Sequence, residues 1–280
     1  MPSSAPRLSL ISLVIAAGLV MAGCPQAPVP PPESPGALND TGITGCADAD
    51  DEGLPCPLAS YPGQDADHGR DIAAGDDSDG HAGFHFTKLG ADGQPLAIQD
   101  SSWSDTGSEE AGTRWTCVRD EVTGRTWEVK VNDPNSLHHK DHVYTWYNPD
   151  NATNGGWSGH AGQGSCNGTL PASGDYTGCD TYTFPKYVNE HDGLCGFTDW
   201  RVPEIQELRS IADYSVPPPA PGIDLRYFPN TVGNTFYVSA TPGGFSRDEM
   251  WVLLSGPPFT RRGSKSAPVG DEVRLVRGGE

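Results

Sequence analysis

The chain is short of apolar residues, of bases and of long hydrophobic runs. Hydrophobic side chains make up 35% of its 280 residues, and Met occurs three times. A core built from so little is modest, and loops must be many, which suits a protein held together by cross-links. Lys and Arg number 18 against 37 Asp and Glu, for a formal net charge of −19. A surface of that sign repels a phosphate backbone, so nucleic acid is excluded as a partner. No C-x-x-C pair occurs, which argues against a structural zinc site. The Gly-x-Ser-x-Gly nucleophile elbow is also absent, and no internal repeat is visible.

The one long apolar run, Leu8 to Ala22, follows the single base Arg7 and holds about fifteen residues, short of the roughly 20 a spanning helix needs. It reads as a secretory signal over residues 1–23. Ala22-Gly23-Cys24 resembles the bacterial lipobox, in which the Cys is diacylated and becomes the new N-terminus; Met21 departs from the usual pattern. Two or three acyl chains anchor a protein firmly to a membrane. Pro25 to Gly36 holds six prolines in twelve residues, so 24–40 is expected to be an extended spacer behind the acylated Cys24. Pro25 in place of Asp resembles the outer-membrane sorting pattern. The expected location is therefore the bacterial outer membrane, lipid-anchored, with the domain periplasmic or surface-exposed.

Six cysteines remain: Cys46, Cys56, Cys117, Cys166, Cys179 and Cys195. An exported context favours pairing, and six cysteines allow fifteen connectivities. Short loops favour Cys46–Cys56 and Cys179–Cys195, which leaves Cys117–Cys166.

Acidity is uneven, with seventeen Asp or Glu in residues 25–110 against Arg70 and Lys88. The 41–112 segment is an acidic lead-in with short strands: Gly83 to Gly90 alternates, and Ala91-Asp92-Gly93 suits a hairpin turn. The main domain spans 113–280. Trp115–Val118, Thr126–Val131 and the aromatic run Val143–Tyr147 are β-prone. Residues 148–176 form a long polar loop, a common place for function. Helices are expected over Thr181–His191 and from Pro203 to about Ala212, where Ile205, Leu208 and Ile211 share a face. Thr235–Ala240, Met250–Leu254 and Val273–Arg277 should form an antiparallel meander. The fold class is thus α+β, loop-rich and disulfide-stapled, with short helices and an antiparallel sheet.

Several clusters carry chemistry. Trp146, Tyr147 and Trp157 beside Asp150, Asn151 and Asn154 combine aromatic faces with hydroxyl-binding groups, as a sugar site does. Core packing is the competing fate of Trp146 and Tyr147, and the expected one for Trp115, Trp127, Trp200 and Trp251. Loops 148–176 and 255–270 would carry recognition, with Arg261, Arg262 and Lys265 as the one local basic patch. Asp48, Asp50 and Glu52 match the first half of a calcium loop, but Ala59 stands where its bidentate Glu belongs. Asp76 to Gly80 is similarly incomplete. His138, His139 and His142 are the densest titratable group, expected as a polar surface turn, with a metal-assisted hydrolase as the remote alternative. Arg201 is expected to pair with a buried carboxylate such as Glu128.

Six motifs in order carry a family resemblance: Trp115-Thr-Cys-Val-Arg-Asp120, Thr126-Trp-Glu-Val-Lys130, His142-Val-Tyr-Thr-Trp-Tyr-Asn-Pro-Asp150, Gly193-Leu-Cys-Gly-Phe-Thr-Asp-Trp-Arg-Val-Pro203, Phe228-Pro-Asn-Thr231 and Val273-Arg-Leu-Val-Arg-Gly278. Over roughly 113–278 the chain resembles the family named for the Lcl adhesin C-terminal domain. That resemblance implies an extracytoplasmic, non-catalytic domain associated with adhesion, with binding of sulfated glycosaminoglycans and with homotrimers. This chain has a short Pro linker in place of the namesake's collagen-like stalk, and its acidity speaks against polyanion binding. More distantly, Arg201-Val-Pro-Glu204 and the terminal Val-Arg-Gly-Gly are similar to formylglycine-generating-enzyme domains of the C-type-lectin-like class. The catalytic cysteine pair of those enzymes has no counterpart here, so the likeness implies the fold without the chemistry. The expectation is a cell-envelope lipoprotein domain that needs no cofactor and binds an extracellular ligand, a glycan. An envelope scaffold that binds another protein is the alternative.

Overall fold

Seven short strands, two short α-helices and a 3-10 turn at Asp65–Asp67 alternate with long irregular connections in the computed structural model, which describes residues 39–70, 77–267 and 270–279. The expected leader, Cys24 and the linker up to residue 38 lie outside the described residues, as does Asp76. All described residues fall in one unit, Pro32–Glu280. The first sheet pairs β1 (Phe86–Leu89), β2 (Cys117–Asp120), β3 (Thr126–Glu128) and β7 (Val276–Arg277) in that order, all antiparallel. The acidic lead-in thus supplies an edge strand of the main sheet. Its expected turn forms, with the Gly93 N–H donating to the Gly90 carbonyl at 3.0 Å.

The second sheet is a meander of β4 (Phe236–Pro242), β5 (Glu249–Leu254) and β6 (Phe259–Ser264). Its third strand is β6 and not Val273–Arg277, which closes the first sheet beside Trp127 instead. The exposed pattern of β6 hid it: an edge strand with few buried side chains carries no apolar alternation. Within residues 255–270 the stretch Phe259–Ser264 is therefore strand and not loop.

Helix α1 (Thr183–Glu190) starts where the Asp180 carboxylate accepts the Tyr182 and Thr183 N–H groups at 3.0 and 2.7 Å. Pro185 sits in its first turn, where a missing N–H is harmless. Gly193 at φ +67° ends it, and a Cβ there would lie 2.2 Å from the Phe197 carbonyl oxygen. Helix α2 (Ile205–Arg209) is one short turn with Ile205 and Leu208 buried.

Two apolar clusters make the core, one around Tyr144, Trp146, Phe184 and Trp200, the other around Trp115, Trp127, Phe228 and Tyr237. Two buried indoles find acceptors here, Trp115 at the Tyr227 carbonyl at 2.8 Å and Trp200 at the Leu194 carbonyl at 3.0 Å, whereas Trp127 Nε1 finds none among the described residues. Trp251 is only partly buried against the second cluster. The run Val143–Tyr147 is extended but belongs to no ladder, since its residues bridge singly to Ser165, Asp271, Asp180 and Gly159.

Three disulfides close the chain: Cys46–Cys56, Cys117–Cys195 and Cys166–Cys179. The first pairing was expected; Cys179–Cys195 and Cys117–Cys166 are overturned. Proximity in sequence misleads because the Leu194–Phe197 turn docks on the β1 end of the first sheet, with Gly93 against the Cys195 carbonyl. That contact carries Cys195 to Cys117 at the start of β2. Single bridges from Val143 to Ser165 and from Gln163 to Cys179 bring Cys166 beside Cys179.

Candidate functional site

A groove of about 390 Å³ lies between the Val143–Tyr147 run, the start of α1 and the segment entering α2. Its lining includes Trp146, Tyr147, Tyr182, Arg201 and Glu204. Trp146 is fixed as the base of one wall: 3% exposed, it donates from Nε1 to the Ser239 carbonyl at 3.0 Å. The Lys265 ammonium lies 4.2 Å from its ring centroid. Tyr147 and Tyr182 meet edge-to-face with centroids 6.0 Å apart, and Tyr182 is 37% exposed. Thr181 braces this pair, since its hydroxyl accepts the Tyr147 N–H at 2.8 Å and donates to the Tyr147 carbonyl at 2.9 Å.

The opposite wall comes from the Trp200–Glu204 segment. Arg201 does not meet Glu128. It pairs with Glu207 through both terminal nitrogens, at 2.6 and 2.7 Å, and Arg125 reaches the same carboxylate at 2.8 Å. Burial pushes the Glu207 carboxyl up, but these guanidiniums and the Glu204 N–H outweigh it and hold it at about 2. Glu204 accepts the Thr241 hydroxyl, and Thr241 in turn accepts the Ile205 N–H at 2.9 Å. The geometry thus offers apolar ring edges, two phenols and a carboxylate on rigid supports.

Of the expected sugar-site residues, Trp146 and Tyr147 line this groove; Asp150, Asn151, Asn154 and Trp157 do not. The Asp150 carboxylate accepts the Ala152 N–H and the Thr153 hydroxyl, while Asn154 Nδ2 donates to Asn151 and its Oδ1 caps Gly156. These side chains fold the loop onto itself. Trp157 stacks edge-on against His160 at 5.3 Å. The loop returns to the groove at Gly159, where φ is +77° and a Cβ would lie 2.1 Å from the Trp146 carbonyl oxygen. Sequence reasoning missed Tyr182 and Glu204 as groove residues, because a residue at a helix entrance shows no periodic signal.

The histidines are not a surface turn. His138 Nδ1 bonds Glu128 at 2.7 Å, beside Lys130 at 2.8 Å, and both Glu128 and Lys130 are almost wholly buried. Burial raises the Glu128 carboxyl, but Lys130 and His138 overcome it and hold the group at about 2. His139 and His142 are 7% and 3% exposed, with rings 5.2 Å apart. The Leu137 and Pro134 carbonyls approach the His142 ring, but neither ring nitrogen has a partner in hydrogen-bond geometry. Among the described residues the one metal-like grouping is Cys46, Cys56 and Asp67, where the two sulfurs are joined as a disulfide. Asp48, Asp50 and Glu52 are exposed, and the Asp48 carboxylate accepts the Asp50 and Asp51 N–H groups as a turn. Arg261 and Arg262 are exposed on β6, but Lys265 is 1% exposed and does not extend that patch.

The Lcl C-terminal domain profile matches residues 116–277, more than half of the chain. The chain belongs to the Lcl C-terminal domain family. Both groove walls lie inside the matched region, as do Cys117, Cys166, Cys179 and Cys195. The β1 edge strand and the Cys46–Cys56 loop of this chain precede it. Comparison with curated proteins returned no match, and comparison with solved structures returned none. Among the described residues no helix is long and apolar enough to cross a membrane.

Proposed function

We propose that this chain is a non-catalytic, lipid-anchored envelope protein whose domain binds an extracellular glycan in the Trp146–Glu204 groove. The anchor is the acylated Cys24, the location the outer membrane, and the fold C-type-lectin-like. One observation carries the binding site: Tyr147 and Tyr182 present their rings beside the Glu204 carboxylate, and neither phenol has a hydrogen-bond partner among the described residues. Saccharides pair an apolar ring face with directed hydroxyls, and such a site serves both. A glycan array probed with the full chain and with Tyr182→Ala tests the proposal. Binding by the native chain that falls at least about tenfold in the variant supports it, a loss of about 1.4 kcal/mol. Glycan binding that Tyr182→Ala leaves unchanged moves the site elsewhere.

An envelope scaffold is the second reading, favoured by one feature. β6 is an open sheet edge, and Phe245, 86% exposed, lies beside it under the Arg262 guanidinium at 5.2 Å. Open edges accept an added strand, so a partner protein whose binding fails with Phe245→Ser would favour the scaffold.

A further inference from the structure

The charges around the groove define which glycan it takes. Arg201 is the one base in the lining and Glu204 the one acid. Arg201 is already engaged: both terminal nitrogens donate to Glu207, which Arg125 also clamps, so two guanidiniums share one carboxylate and the trio keeps one positive charge, which the Glu204 carboxylate offsets. The Glu204 carboxylate has neutral partners, the Thr241 hydroxyl and the Glu207 N–H of the capping box that opens α2. An approaching sulfate or carboxylate thus meets a group, Arg125, Arg201, Glu204 and Glu207, whose charges sum to zero, on a chain of net charge −19.

Basic residues elsewhere do not relieve this. Arg262 is paired with Glu249 at 3.2 Å, Arg261 lies flat on the Phe236 ring at 3.9 Å, and Lys265 is buried beneath Trp146. What remains open to a ligand is uncharged or accepting: two phenols, two tyrosine ring edges and the Glu204 carboxylate. A carboxylate accepts up to about four donors, so Glu204 retains acceptor sites for a pair of adjacent sugar hydroxyls beyond those used by Thr241 and the Glu207 N–H.

We infer that the groove takes an uncharged, hydroxyl-rich saccharide and discriminates against sulfated or carboxylated glycans. This rests on the proposal above that the groove is a saccharide site. In the bound state a pyranose packs its C–H face on Tyr182 and Tyr147 while vicinal hydroxyls donate to Glu204. Because no net charge is neutralised, affinity is insensitive to salt.

The test uses the full chain and its Glu204→Gln and Tyr182→Ala variants against matched neutral and sulfated saccharides, at low and at high salt. The expected result is binding to neutral saccharides that changes by less than about twofold between the two salts, because screening acts on net charge pairs. Glu204→Gln keeps the size of the side chain and its contact to Thr241, and is expected to weaken neutral binding by about tenfold through loss of a charge-assisted acceptor. Preference for sulfated saccharides that collapses at high salt, yet still requires Tyr182, overturns the neutral class and leaves the groove in place. Saccharide binding indifferent to both substitutions, or no binding to any saccharide, overturns the groove proposal and this inference together.

Discussion

Replacing Lys265 with Met removes a charge from under the groove while keeping the length of the side chain. Lys265 is 1% exposed, and its ammonium donates to the carbonyls of Asn154 at 2.7 Å, Arg247 at 2.9 Å and Trp157 at 3.3 Å. An ammonium has three donors, and all three are matched. The same group sits 4.2 Å from the Trp146 centroid. A hydrogen bond to a charged group contributes about 1.5–3 kcal/mol, and the cation–π contact adds about 1 kcal/mol in a desolvated place. Against that sum stands the desolvation of the ammonium, several kcal/mol, which Met does not incur. The balance is a loss of about 2–4 kcal/mol, arising mostly from three buried carbonyls left without a donor. In a urea titration this lowers the midpoint by about 1 M for a slope near 3 kcal/mol/M. Arg261→Met, on the exposed face of β6, is the control and should stay within about 0.5 kcal/mol of the native protein. A Lys265→Met midpoint indistinguishable from that control would refute the bolt between the 148–160 loop and the second sheet.

Three further outcomes follow from the same geometry. Cys117–Cys195 spans 78 residues and Cys166–Cys179 spans 13, so double Ser replacement of the first should cost about 4.5 kcal/mol and of the second about 3 kcal/mol; mass spectrometry of non-reduced peptides that finds Cys179 joined to Cys195 defeats the map. Burial raises the Glu272 carboxyl to about 7 and the Asp120 carboxyl to about 6, whereas Glu128 and Glu207 are held at about 2. Stability should therefore rise from pH 2 to about 4.5, as the two low groups ionise before their unfolded counterparts, and then fall toward pH 7, because the folded chain keeps protons the unfolded chain has lost. Glu272→Gln should abolish about 3 kcal/mol of that fall, and melting temperatures that climb steadily to pH 7 contradict the assignment. Thr241→Val deletes the contacts to Glu204 and to the Ile205 N–H and should cost about 1 kcal/mol of stability while weakening saccharide binding, which a calorimetric titration against native chain reads directly.

The elements with local signals were legible in the sequence. β1, β4, β5 and α1 stand close to where alternation, β-branched runs and the Pro185 position put them, because each buries one face against the core. The family was legible from six motifs whose buried members, Trp115, Trp127, Tyr144 and Trp200, are core anchors. What failed was everything set by long-range docking. Two disulfides were misassigned because the Leu194–Phe197 turn reaches a sheet end 78 residues away in sequence. β6 was missed because an exposed edge needs no apolar pattern, and Glu128 was given the wrong cation because Lys130 and His138 reach it from its own strand and the next turn. Half of the expected sugar residues bind their own loop, since Asn and Asp side chains compete for nearby backbone N–H groups before any ligand does.

The placement of the cations explains why such a polar chain folds around so little hydrocarbon. Lys88, Lys130, Lys265 and Arg274 are at most 2% exposed in a protein with only 18 bases. Each lies against an aromatic ring: Lys88 on Trp115, Lys130 on Phe184, Lys265 on Trp146 and Arg274 on Phe228. Each also donates to a backbone carbonyl or a carboxylate of the interior, such as the Ser101 carbonyl for Lys88 and the Glu128 carbonyl at the end of β3 for Arg274. Loop-rich backbone exposes unpaired carbonyls, and a buried cation can satisfy several at once where a neutral donor satisfies one. Six acids, Asp120, Glu128, Asp180, Glu207, Asp213 and Glu272, are withdrawn along with these four bases, so burial leaves the surface strongly acidic without adding to it. The groove follows the same habit, with its own Arg201 bound to Glu207. The charge pairing that stabilises the irregular fold thus also occupies the one base of the groove lining.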